Sequence, residues 1–189
     1  WAVDTDNVMG RLSNGETAIG DGDFLGTIQF DAPDESSGTD AILISAAIDA
    51  IAEADFSASV NKTKLTFRTA TSGVATTKLS LLNDGRGLSP FTARAWARIN
   101  QTSTQAITSS HNCSGITDNG TGDSTVAFTN AIGSTEYCVL TGNAAETDWG
   151  ERANPTTTAT GSVRIQNVQE DGTFYDSSRV HFMVMYTGV

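Results

Sequence analysis

Nucleophilic hydrolysis needs a histidine within reach of a serine or cysteine and an acid to orient it. The 189-residue chain has two histidines. His111 lies in SSHN beside Ser109 and Ser110, with Asp118 further on; His181 lies inside SSRVHFMVM, with Asp176 and Ser177 upstream. Neither stands in a nucleophile elbow, and so serine-rich a chain places serine beside histidine by composition alone. Paired carboxylates could cleave glycans, and Asp21 with Asp23 or Glu146 with Asp148 would be candidates. Among 22 acidic residues, however, such pairs arise unaided. DTDN at 4–7, DGD at 21–23 and DNGTGD at 118–123 carry oxygens suited to Ca²⁺. None has the EF-hand spacing with its closing Glu, and turn geometry alone accounts for DNGTGD. Cys113 and Cys138 match no zinc or redox spacing; they could bridge neighbouring strands, but two small buried thiols in a reducing cytoplasm is the plainer reading. No glycine loop for phosphate is present. The residues read as those of a non-enzyme with no metal and no cofactor.

Two features suit binding better. Trp149 lies in GNAAETDWGERANP, residues 142–155, a loop long enough to have a task, with Asp148, Glu151 and Arg152 around it. An exposed indole edged by charges is a surface on which sugars and receptor proteins stack; the ring folded back onto its own domain or the next subunit is the equal alternative. Trp96 stands between Arg94 and Arg98 in TARAWARIN, able to form a cation–π ladder on one strand face. Because that ladder is not in a loop, a contact between subunits is favoured for it.

The elements that position these residues are short and extended. Aromatics are 7% of the chain, lean for a self-contained enzyme, whereas Thr, Ser, Gly and Asn are abundant, as in strands joined by tight turns. The formal net charge of −11 disfavours nucleic acid and anionic lipid as partners. No apolar run approaches membrane-spanning length, and WAVDTDN does not open like a signal peptide; Trp1 in place of Met suggests a piece of a longer chain.

Turn signals stack in NDGRGLSP, so a boundary is placed there, between a module over 1–89 and a domain over 90–189. In the first, 26–31, 64–69 and 78–82 read as strands, with Ile28 and Phe30 on one face and Leu65 and Phe67 inward. Residues 40–56 satisfy both a helical and a period-two pattern, and physics alone leans to the helix. In the second, strands are expected at 92–100, 112–117, 124–129 and 136–141, with DNGTGD as a hairpin turn. Residues 159–169 and 177–187 are expected to form a final long hairpin. About seven short strands argue for a β-sandwich. The last strand puts Val180, Phe182, Val184 and Tyr186 on one face and His181, Met183 and Met185 on the other, so the second face is expected to meet a neighbouring subunit.

The segments RAWARIN, SSHNCSGITDNGTGDSTVAFTNAI and TGSVRIQN resemble a C-terminal domain of bacteriophage tail-fibre and other virion structural proteins. The resemblance covers Phe91 to Val189; Cys113 stands where Val is usual and Cys138 where an apolar residue is usual, which leaves a local Cys113–Cys138 contact open. IQFDAPDESSGTDAILI, FSASVNKTKLTFRT and ATTKLSLLNDG resemble the repetitive modules that precede such tips. The resemblance implies an all-β chain in which an intertwined trimeric β-shaft module is followed by an antiparallel β-sandwich tip, and it tips 40–56 towards extended chain. It brings no catalytic motif.

The expected function is therefore that of a virion structural protein, the distal part of a homotrimeric tail fibre or spike that contacts a host-surface glycan or protein during adsorption. Trp149, Asp148, Glu151 and Arg152 are its receptor-contact candidates; Trp96, Arg94, Arg98, Met183 and Met185 are its trimer-interface candidates. Other virion proteins are expected partners, and the virion surface is the expected location. The alternative is a head fibre, collar or capsid decoration protein without a receptor role. A glycan depolymerase and a cell-surface adhesin stand behind these two.

Overall fold

The computed structural model describes residues 11–143 and 152–186. Among them there is no helix, and every sheet is antiparallel and open. The chain folds as two compact units, Trp1–Gly85 and Arg86–Val189.

In the first unit β1 (Phe24–Phe30), β2 (Ala46–Ala52), β3 (Thr63–Thr69) and β4 (Thr76–Leu81) lie side by side in chain order. The stretch that leaned towards a helix is thus strand β2. Extended, it gives Ile48 a cross-strand partner on each side, Ile28 and Phe67, and sets Asp49 opposite Thr27 and Thr66. Long-range pairing overrides a local preference that was nearly balanced.

The register sorts the sheet into two unlike faces. One carries the rows Ile28, Ile48, Phe67, Leu79 and Gly26, Ala50, Leu65, Leu81; the other carries Thr27, Asp49, Thr66, Ser80. Contrary to expectation, Leu65 and Phe67 do not point inward. Ile28, Phe30, Leu65, Phe67 and Leu81 are 39–54% exposed, while Asp49, Thr66 and Ser80 are buried. Asp49 can be buried because it is fully answered. Arg68 donates from Nε and Nη2 to its two oxygens at 2.7 and 2.9 Å, and Thr66 Oγ1 donates at 2.9 Å.

The second unit holds β5 (Gly87–Leu88), β6 (Ala93–Asn100), β7 (Ala106–His111), β8 (Cys113–Gly120), β9 (Asp123–Phe128), β10 (Cys138–Asn143), β11 (Arg152–Ala159), β12 (Ser162–Val168) and β13 (Val180–Met185). β6 to β13 make two four-stranded sheets, in the orders β10-β13-β6-β7 and β11-β12-β9-β8. One buried cluster draws on both: Ala95, Ala97, Ile99, Val180, Phe182 and Val184 from the first, Val126, Phe128, Ala153, Val163 and Ile165 from the second.

The expected final hairpin does not form. β12 pairs with β11 and β9, and β13 pairs with β10 and β6, so the two strands lie in different sheets. Their connection turns back first, with Tyr175 N–H donating to the Asn167 carbonyl at 3.1 Å and Phe174 bridging to Val168. Where polar side chains are buried they satisfy one another. Gln101 donates to Ser124, Ser124 donates to Gln105, and Gln105 donates to Asp118.

Candidate functional site

The sheet β10-β13-β6-β7 turns one side to the core and leaves the other open. Alternation along β13 buries Val180, Phe182 and Val184 and sends His181 and Met183 outward. Register then assembles two outward rows. Leu140, Met183, Trp96 and His111 form one; Gly142, His181, Arg98 and Ser109 form the next. Leu140 is 56% exposed, Met183 42% and Trp96 38%. Between the rows runs a groove of about 340 Å³. Trp96 and Leu140 form apolar banks, Arg98 and His181 line one side, and no carboxylate is among its described lining residues.

Gly142 lines the groove without a side chain. A Cβ built there meets nothing within 4 Å, so the missing side chain leaves open space beside His181. None of the ion pairs among the described residues involves Arg98, whose guanidinium remains free to meet an anion.

Arg94 does not share this face, and the expected ladder with Trp96 is not formed. Pairing steps from Val184–Ala95 to Met185–Ala93, so Arg94 is an extra residue in β6 and the alternation breaks. Its side chain turns inward to 6% exposure, lies with its guanidinium carbon 5.8 Å from the centre of the Tyr186 ring, and points Nε at the Tyr186 carbonyl. Burial lowers its pKa below the ordinary arginine value, with Arg86 nearby adding to the effect. Met185 is part-buried beside the same bulge, in register with Cys138. Of the trimer-interface candidates, Trp96, Arg98 and Met183 are therefore brought together, Met185 is marginal and Arg94 is elsewhere.

Of the loop candidates, Trp149, Asp148 and Glu151 lie outside the described residues, as does Glu146. Arg152 opens β11, exposed, opposite Val168. Leu140 and Gly142 carry no signal in the sequence, and His181 stands out there as a possible catalyst and as part of the strand face expected to meet a neighbouring subunit. What unites them is their shared register with β13, which no local pattern encodes.

Several acidic and hydroxyl groups considered for catalysis have structural partners. Asp176 accepts the Gly122 N–H at 2.6 Å, Ser177 is buried and accepts the Arg179 N–H, and Asp118 accepts the Gly120 N–H at 2.8 Å. Asp23 accepts the Gly20 N–H at 2.7 Å, and Asp55, not Asp23, takes the Asp21 N–H at 2.9 Å. In DNGTGD, Asp123 is claimed by Arg164 at 2.8 and 2.5 Å, by Gln166 and by Asn119, and these hydrogen bonds, Arg164 foremost, hold its carboxyl below the usual range against burial. Among the described residues no cluster of three or more His, Cys, Asp or Glu is placed to hold a metal. Both cysteines are free; Cys138 is exposed on β10 rather than buried, and burial pushes the Cys113 thiol up to about 11.

In the first unit the open apolar face is a second candidate surface. Leu12 already leans on it, its Cβ 3.0 Å from where a Gly26 Cβ would be, and a groove of about 170 Å³ runs past Ile28, Ile48 and Leu65. The two faces differ in charge: those rows of the first unit carry no ionisable side chain, whereas the groove of the second carries Arg98 and His181. Comparison of the chain with protein-family models, with curated proteins and with solved structures finds no match.

Proposed function

We propose that the chain is a structural piece of a virion fibre, in which three copies pack through the β1–β4 sheets as an intertwined shaft and present the second units as β-sandwich tips to the host surface. The observation that carries this reading is the inverted sheet of the first unit. Its polar row is Thr27, Asp49, Thr66, Ser80, the last three buried, and its open rows hold Ile28, Phe67, Leu65 and Leu81. A sheet that turns its apolar face outward is incomplete as a monomer, because contiguous exposed apolar surface favours association. The occupant that suits it best is a second copy. At a net charge of −11 copies repel at a distance, and only a charge-free surface lets them meet without opposing like charges. The two-layer arrangement of the second unit supports the sandwich tip, and the motifs shared with tail-fibre proteins support the virion setting.

Native mass spectrometry of the purified chain tests the proposal. A species at three times 19.8 kDa is expected. A folded monomer at micromolar concentration overturns the shaft.

A further inference from the structure

We infer that the groove on the outward face of β10-β13-β6-β7 is a binding site for an acidic saccharide, a sugar ring stacked on Trp96 with its carboxylate held by Arg98 and His181. The argument starts from what the groove lacks. Its chain has twice as many acidic as basic residues, 22 against 11, yet among the described residues no carboxylate lines the groove. Arg98 and His181 are direct cross-strand partners there, both exposed. A guanidinium with an imidazole beside it is a donor set for a carboxylate, and the arginine fork favours two-point binding.

The neighbouring row supplies the other half of such a ligand. Trp96 is flanked on the same face by Met183 and then Leu140. An indole with an open face accepts the C–H side of a sugar ring, while the polar edge of the ring remains free to reach donors. The 340 Å³ volume lies at the small end of the range usual for ligand sites, roughly 300–1,000 Å³. It suits a short saccharide better than a protein segment.

Packing of a second copy on this face is the competing use, and charge argues against it. Packed around a rotation axis, this face would bring the Arg98 and His181 of neighbouring copies towards one another, with no acid among the groove's described lining residues to answer them. The charge-free rows of the first unit carry no such penalty. The inference deepens the host-contact reading and rests on it only for the source of the sugar.

Titration calorimetry on the full purified chain decides the matter. The acidic probes are sialyllactose, a galacturonate trimer and a hyaluronate tetrasaccharide; lactose and maltotriose are the neutral controls. At least one acidic probe is expected to bind tenfold or more tighter than the neutral sugars, and more weakly as salt rises. Trp96→Ala and Arg98→Ser are expected to weaken that binding at least tenfold. Gly142→Val fills the open space without touching a ligand-contacting group and is expected to abolish binding while the circular dichroism spectrum and melting temperature stay with the parent. Binding indifferent to all three substitutions, equal affinity for neutral sugars, or no binding by any acidic probe overturns the inference. Native mass is recorded on the same samples: loss of the trimer in the parent fails the shaft reading alone, and loss of sugar binding in an intact trimer fails this one alone.

Discussion

A Cβ on Gly122 would stand 2.5 Å from the carbonyl oxygen of Asn167. The glycine has φ +64°, donates to Asp176 and accepts the Asn167 N–H at 2.7 Å, so the β8–β9 turn is clamped against the chain that follows β12. Gly122→Ala must bear a left-handed backbone, about 1–2 kcal/mol, and must also push two backbone segments apart. The expected loss exceeds about 3 kcal/mol in urea unfolding. A loss under about 1 kcal/mol would mean that the 167–175 segment yields freely and that this glycine is a turn residue only.

That clamp marks the limit of what the sequence makes legible. DNGTGD reads as a hairpin turn because the hydrogen bonds that need Asp118 and Gly120 are local. What Gly122 meets across the fold is not local and cannot be read. The same holds for β6: alternation puts Ala95, Ala97 and Ile99 on one face, the one that proves buried, but the bulge that turns Arg94 inward is set by pairing with β13, far along the chain. Residues 159–169 and 177–187 look like a hairpin because each is strand-like and a turn lies between them; the partners they choose instead are fixed by the shared core. Period two tells which residues share a face and not which face meets solvent, which is why Leu65 and Phe67 were expected inward. AITSSH and RANPTTTA were passed over as strands because they are polar edge strands, the second with Pro155 at its bulge.

The buried Asp49 predicts an acid dependence of known sign. Hydrogen bonds from Arg68 hold its carboxyl below the ordinary range, against burial, which pushes it up; Thr66 and Thr27 add to the depression. A carboxyl whose pKa is depressed on folding stabilises the protein above the unfolded value, about 3.9, and that stability is lost as pH falls through the folded value. Arg68→Met removes the partner and leaves the acid in place, at a cost of about 3 kcal/mol at pH 7. Without Arg68, burial favours the protonated acid. The gap between variant and parent is therefore expected to narrow from pH 6 to pH 3 in urea midpoints. A gap constant over that range would show that the pair carries no net electrostatic stabilisation.

The two thiols should separate kinetically. Cys138 is exposed on β10, whereas Cys113 is half-buried, its Sγ 3.5 Å from the Trp96 carbonyl oxygen and 3.4 Å from that of His111, with its thiol pushed up to about 11. The thiolate is the reactive form, so at pH 8 Cys113 offers almost none. Iodoacetamide is expected to add once to the native chain, at Cys138, and twice after denaturation, as counted by intact mass. Two rapid additions to the native chain would mean that β8 opens readily.

The two open faces make opposite predictions for assembly. Phe67 is 39% exposed in the charge-free row of the first unit, so a Glu carboxylate placed there by Phe67→Glu can reach water in the separate chain. In a threefold contact the substitution sets like charges against one another in a dry interface, where each needs a partner it lacks. The variant is expected to run at 19.8 kDa in native mass spectrometry, with its β-sheet circular dichroism unchanged, where the parent runs at three times that mass. Trp96→Ala, on the groove of the second unit, is expected to keep the parent's mass. The reverse pattern, with Trp96→Ala dissociated and Phe67→Glu intact, would place the contact between copies on the groove and leave the first unit's apolar face to another partner.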